Sequence, residues 1–403
     1  MKIERIDVFV LRAPYKEPYW GVNYVMEEQA DLFFRDYSAA YPLMVRSKPL
    51  YEPALNAVLV KITTDDGVVG WGESKGVVAP RAVKAILEDM VIPCVIDMNP
   101  LDIARVKERM AGLMRLRGHL QGFHQEATSG IEIALWDIKG KVAGLPVYSL
   151  LGGAFRDRIP VYASGLSGLD SVYHSQDVER LQRDARRALD GGFQALKICI
   201  GKGLRTDLVS FDAVREVVGD SIPILVDAGG RYDYHTALRL AKELEQRSAF
   251  WLETPLPIDD FRGYVDLSRA TSLPIANDMI WTTGIVREMY RQGAKVVFIP
   301  EVLKAGGILE CKQIADLADR FHMPYAPHVS QGTMLQFAAT AHLCAAAPNF
   351  LISEYWWQDN PLGNAILKRP LQLRDGHLIV PQEPGLGADI DETAIEPFVV
   401  ETT

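Results

Sequence analysis

Three carboxylates recur at even intervals in the chain, each at the end of a short apolar run. Asp227 and Glu253 stand one residue from the ends of PILVDA and FWLET, and Asp278 ends PIAND. An all-oxygen donor set without thiolates suits a hard cation such as Mg²⁺, which keeps positions open for a substrate. One such acid alone would more readily cap the following helix or pair on the surface. Three in consecutive repeats, each closing an apolar strand, point to a metal.

Other polar groups fall at equivalent places. Lys197 and Cys199 lie two apart in ALKICI, so on a strand they face one side together. A lysine desolvated beside a cation has a lowered pKa and can act as a base; the alternative is a lysine that pairs with the carboxylates and balances charge. His328 closes PYAPH, Glu301 follows VVFIP, and Glu354 closes FLISE. If adjacent, Glu301 would fix the imidazole tautomer and raise its basicity, making His328 an acid or base of tuned strength.

These groups need a scaffold that gathers strand ends. From about residue 126, short apolar runs alternate with amphipathic stretches such as DVERLQRDARRALDGG, in eight units of βα size. That is the pattern of an α/β, TIM-type (β/α) barrel, whose strands converge at their C-terminal ends on one rim. An open doubly wound sheet is the alternative, weakened by the lack of GxGxxG after the first run. Ahead of this region, IERIDVFVLRAP reads as a strand and NAVLVKITTDDGVVGWGES as a hairpin turning at Asp65-Asp66-Gly67. Helical patterns follow from about 80 to 120. Between strand and hairpin, residues 15–53 are rich in aromatics and charge with little period, as in a functional lid or a disordered segment. The expected organisation is an N-terminal α+β capping domain over 1–126, the barrel over 127–371, and a C-terminal segment, 372–403, packing back on the cap.

The bulk numbers narrow the function. Lys plus Arg total 43 against 52 Asp plus Glu, a net charge of −9, which argues against nucleic acid or an anionic membrane surface as partner. An anionic small molecule remains compatible, since a bound cation reverses the local field. Cys94, Cys199, Cys311 and Cys344 form no zinc or redox spacing and fit a reducing compartment. With neither a signal-peptide pattern nor a membrane-length apolar run, the expectation is a cytoplasmic protein.

Over nearly its whole length the chain resembles the enolase superfamily, in its mandelate racemase and muconate-lactonising branch. The resemblance rests on VLVKITTDDGVVGWGE, SGIEIALWDIKGKVAGLPVYSLLGG, GFQALKICIG, VDAGGRY, WLETPLP, PIAND, IPEVLKAGG, APH and PGLG, in that order. It implies a modified, enolase-type barrel. Mg²⁺ would be held by Asp227, Glu253 and Asp278, and a base would remove the proton α to a substrate carboxylate, with the cation stabilising the enediolate. It further implies that Glu354 hydrogen-bonds that carboxylate, that a lid including Tyr19, Trp20 and Tyr24 closes over it, and that the protein is a homo-oligomer.

Against the family pattern, Cys199 replaces the second lysine, Glu301 the dyad aspartate and Gly229 a polar residue, while Met279 follows Asp278 where a second acid is common. Without the second lysine, a two-base racemisation loses a base, and an unperturbed thiol beside carboxylates stays neutral. His328 with Glu301 is then the expected acid–base group, and dehydration of a sugar acid the expected reaction. A racemase, epimerase or cycloisomerase using Lys197 or Cys199 is the second reading, and a non-catalytic metal- or ligand-binding descendant the third.

Overall fold

The computed structural model describes residues 1–15, 54–119, 121–170, 173–278 and 282–402. Strand β1 (Ile3–Pro14) pairs antiparallel with β2 (Ala54–Thr64), and β2 with β3 (Val69–Ser74). The hairpin turns where the sequence places it. Gly67 takes φ +83° and its N–H donates to the Thr64 carbonyl at 2.9 Å, while the Thr64 hydroxyl accepts from Val68 N–H at 2.9 Å. Helices α1 (Pro80–Ile86) and α2 (Ile103–Arg115) follow.

Helix α3 (Phe123–Ala143) packs along β2 and β3 and spans the expected border at 126. A Cβ on Gly72 would lie 2.0 Å from the Gly130 carbonyl oxygen, so helix and strand touch backbone to backbone and only glycine fits. Buried Asp137 on α3 accepts from Trp71 N–H at 3.0 Å and Leu386 N–H at 2.9 Å. That one carboxylate explains why the GWGE, WDIKG and PGLG segments belong together.

The barrel begins at β4 (Arg158–Ser167). It continues through α4 (Ser175–Asp190), β5 (Leu196–Cys199), α5 (Leu204–Val218), β6 (Ile224–Asp227), α6 (Tyr234–Gln246) and β7 (Trp251–Glu253). Then come α7 (Phe261–Ala270), β8 (Ile275–Asn277), α8 (Thr283–Arg291), β9 (Val296–Phe298), α9 (Ile308–Arg320), α10 (Met334–Ala346) and β10 (Ser353–Trp356). Strands β4 to β9 pair in parallel sequence order, and β10 pairs back onto β4. The seventh run, read as a strand from PYAPH, is instead joined through isolated bridges, Phe298 to Tyr325 and Tyr325 to Phe350. Pro324 and Pro327 remove the N–H groups a regular ladder would use.

Beyond the barrel, β11 (Leu373–Arg374) and β12 (His377–Ile379) lie antiparallel against β4, whereas β13 (Val399–Thr402) joins the cap sheet beside β1. Among the described residues no helix is long and apolar enough to cross a membrane.

Candidate active site

The barrel interior holds a layer made by Tyr162, Ala195, Leu225, Trp251, Ala276 and Ala326. Two residues further along each of those segments stand Ser164, Lys197, Asp227, Glu253, Asp278 and His328. Side chains two apart share a face, so the same alternation that fills the core lifts these polar groups one layer towards the C-terminal rim. Ile352 and Glu354 continue the pattern on the eighth segment.

Lys197 is the hub, 1% exposed. Its Nζ lies 2.9 Å from Glu253 Oε1, 2.8 Å from Glu354 Oε1 and 3.6 Å from Asp227 Oδ2, with the Tyr162 ring 5.5 Å away. Burial opposes the ammonium, but Glu253 and Glu354, with Tyr162 and Asp227 behind them, hold its pKa well above the ordinary lysine value. With carboxylates on three sides, Lys197 takes the charge-balancing place that the sequence offers as the alternative to a base. Burial pushes Glu253 up to about 8 even against Lys197, with Asp227 and Glu354 adding to it. Trp251 Nε1 donates to the other Glu253 oxygen at 3.2 Å.

The second centre is His328. Its Nδ1 lies 2.9 Å from Glu301 Oε2 and its Nε2 3.4 Å from Glu354 Oε2. An ionised Glu301 can only accept, so it sets Nδ1 as the protonated nitrogen and leaves Nε2 to exchange protons. Burial works against a charged ring, yet Glu354 and Glu301 outweigh it and raise the His328 pKa. Burial would likewise raise Glu301, but Lys75 and Lys304, together with His328, bring it well below the usual carboxylate range. Glu354 bridges the centres, accepting from the Ser164 hydroxyl and from Val329 N–H at 2.8 Å.

Cys199 lies in register with Asp227 and is half-buried. Burial, then the Asp227 charge, raise its thiol far above the usual range, so it stays neutral. Asp227 accepts from Gly229 N–H at 2.9 Å, a backbone contact in place of a polar side chain at that position.

Asp278 is held differently from the other two acids. Its Oδ1 accepts from the Thr254 hydroxyl at 2.7 Å. Thr254, next to Glu253, has φ +41°, a genuine outlier for a β-branched residue and a mark of strain at a functional strand end. Asp227 and Glu253 supply the hard oxygens that Mg²⁺ prefers, but among the described residues no three His, Cys, Asp or Glu side chains converge as a metal cluster. Two of the expected ligands face Lys197; the third is turned onto Thr254.

Trp20, Tyr24 and Met279 lie outside the described residues. Tyr15 and Leu55, near the two ends of the expected lid, line one cavity with Gln331, Trp356 and Asp359 at the barrel rim. The sequence reading missed Ser164, Trp251 and Lys75. Ser164 and Trp251 were findable from the alternation alone; Lys75 carried no signal beyond directly following GWGES.

A barrel whose rim carries a buried lysine among carboxylates and a His–Glu dyad, seated under an α+β cap, is the architecture of a carboxylate-transforming enolase-type protein. The family profile "Mandelate racemase / muconate lactonizing enzyme, N-terminal domain" matches residues 52–152, and "Enolase C-terminal domain-like" matches 180–394. The chain belongs to this branch of the enolase superfamily. It is 32% identical over 374 residues to D-xylonate dehydratase of Haloferax volcanii, covering 85% of each chain. It is 33% identical to D-galactarolactone cycloisomerase of Agrobacterium fabrum, covering 85% of this chain and 90% of that one. The crystal structure of 3,6-anhydro-D-galactonate cycloisomerase from Zobellia galactanivorans superposes with a TM-score of 0.83 at 28% identity, covering 100% of both chains. Enolase superfamily members are generally Mg²⁺-dependent.

Proposed function

We propose that the protein is a hydro-lyase acting on a sugar acid. The observation that carries this reading is the asymmetry of the proton-handling groups. Among the described residues His328 is buried, oriented by Glu301 and titratable, whereas the second strand offers a lysine locked by carboxylates and a neutral thiol. One base on one face favours removal of the α-proton followed by loss of the β-hydroxyl from the same side.

In this reading His328 Nε2 takes the α-proton, and the C–H electron pair passes into the enediolate. The β C–O bond then breaks, and His328 returns its proton to the departing hydroxyl, releasing water and an enol that becomes the 2-keto acid. Glu301 holds the imidazolium in place. Lys197 places a fixed positive charge under the reacting carboxylate, and Glu354 offers it a hydrogen-bonding edge. Asp227 and Glu253 would hold Mg²⁺, with Asp278 as the third ligand when released from Thr254. Bound there, the cation would supply charge stabilisation to the enediolate. Dehydratases of sugar acids among the relatives support the reaction class. A small carboxylate substrate, a homo-oligomeric state and a cytoplasmic setting belong to the same proposal.

Incubation with Mg²⁺ and a library of aldonic and aldaric acids, followed by semicarbazide detection, should reveal 2-keto products for at least one acid. No turnover across the library by metal-loaded protein would sink the reading. The cycloisomerase relatives favour a second one. Deuterium uptake from solvent at the α-carbon without loss of water would select an isomerase instead.

A further inference from the structure

The dyad is completed from another domain. Lys75, in the loop that leaves β3, reaches down to the barrel and is only 10% exposed along its side chain. Its Nζ lies 2.6 Å from Glu301 Oε1, contacts the Ser330 hydroxyl, and donates to the Gln331 carbonyl at 3.2 Å. The other Glu301 oxygen, Oε2, is the one that holds His328 Nδ1 at 2.9 Å. One buried carboxylate thus faces the cap lysine through Oε1, which also accepts from the Ser330 hydroxyl at 3.0 Å, and the proposed base through Oε2, beside Lys304. Gln336 Nε2 also reaches Oε1, at 3.2 Å.

We infer that Lys75 is a positioning residue for His328, through which the seating of the capping domain sets the orientation and basicity of the acid–base group; the catalytic part of this inference rests on the function proposed above. Lys75 makes the shortest contact to Oε1 and the one that carries a charge, and with Ser330 and Gln336 it keeps the carboxylate from rotating away from the imidazole, so that Nε2 stays aimed at Glu354 and the site. Lys75 also offsets the Glu301 charge that His328 feels. Among the described residues, the other charges facing the pair are Lys304 at 3.3 Å from Glu301, Glu354 on the far side of the ring with Lys197 beyond it, Asp227 and Glu253, which feel the His328 charge, and Glu126 at the start of α3, which feels Lys75, Lys304 and Glu301. Removing Lys75 leaves Lys304 to hold Glu301 ionised but takes one cation from the neighbourhood. His328 therefore becomes harder to deprotonate, and its titration moves up.

The test compares wild type, Lys75→Met and Lys75→Arg by histidine-selective NMR, with His328 assigned from His328→Asn, and by the pH profile of kcat/KM. In Lys75→Met the His328 titration should rise by about one pH unit. The acid limb of the profile should rise with it, and kcat should fall about 100-fold with little change in KM, as for a displaced reacting group. Lys75→Arg should restore the titration and most of kcat. Thermal melts of all variants separate these effects from loss of fold. An unshifted His328 titration in folded Lys75→Met overturns the inference, whatever the activity; so does a shift that Lys75→Arg fails to reverse. If the wild type lacks dehydratase activity yet the titration shifts and recovers, the proposed function fails and the positioning role stands.

Discussion

The Lys197→Met substitution probes the charge balance of the site most directly. Methionine keeps the length and packing of the lysine stem, so the change is mainly the loss of one buried cation. Lys197 contacts two buried carboxylates at 2.9 and 2.8 Å, and removing one partner of a buried pair costs about 3–5 kcal/mol. Protonation limits that cost. Glu253 is already raised to about 8 by burial, and without Lys197 it is raised further. A carboxyl whose folded pKa lies above its unfolded value binds an extra proton in the native state, so stability falls as pH rises from about 4.5 through the folded pKa. In wild type that window closes near pH 8; in Lys197→Met it extends beyond. The stability gap between the two should therefore be smallest near pH 6 and should widen above pH 8, by at most about 1.4 kcal/mol per pH unit. Urea midpoints at pH 6, 7, 8 and 9, with equal m values confirmed, measure the gap. A gap below about 0.5 kcal/mol that does not vary with pH would refute the assignment of Lys197 as the charge-balancing hub.

Three further changes test neighbouring steps. His328→Asn should lower turnover by about 100- to 10,000-fold while the melt stays near wild type, whereas Cys199→Ala should keep turnover within about tenfold; equal losses in both would restore the two-base reading. Thr254→Val removes the hydroxyl that holds Asp278 and should tighten Mg²⁺ binding in a calorimetric titration; unchanged affinity would remove Asp278 from the ligand set. Glu132→Ala orphans Ile308 and Leu309 N–H at the start of α9, now held at 2.6 and 2.9 Å, and should destabilise by about 1–3 kcal/mol per buried donor in urea unfolding.

The barrel was legible because its polar rim groups obey the same alternation as its core. Leu225 and Asp227, Trp251 and Glu253, and Ala326 and His328 each sit two apart, so a strand reading places both layers at once. What the sequence could not convey was side-chain direction beyond that alternation. Asp278 obeys the strand rule, yet it turns onto a threonine whose strained backbone no propensity scale marks. The sequence leaves Lys197 as either base or counter-ion; what it cannot show is the convergence of three strands' carboxylates on its nitrogen, which supports the counter-ion. Pro324 and Pro327 stood in plain view, and their cost to the seventh strand follows from proline chemistry alone. Contacts between cap and barrel were the least accessible, because a pair such as Lys75 and Glu301 is separated by 226 residues and shares no periodicity.

That seam has its own logic. Glu73 and Lys75 lie two apart at the end of β3, so they leave the strand on one face, towards the loop before α10. Glu73 is buried and accepts from the Thr333 hydroxyl at 2.6 Å and from Thr333 N–H at 2.9 Å. Three residues earlier, Ser330 meets Lys75. On α3, Glu132 accepts the first N–H groups of α9, where Gly307 at φ +110° leaves room that a Cβ, 1.9 Å from the carboxylate, would fill. Acidic side chains at helix starts are favoured by the unpaired N–H groups and dipole there. The cap is thus pinned at the starts of α9 and α10, the helices that follow the two segments carrying Glu301 and His328. With both sides of the seam fixed, the reach of Lys75 to Glu301 is set by the docking itself, and a dyad built on the barrel takes its final geometry from the cap.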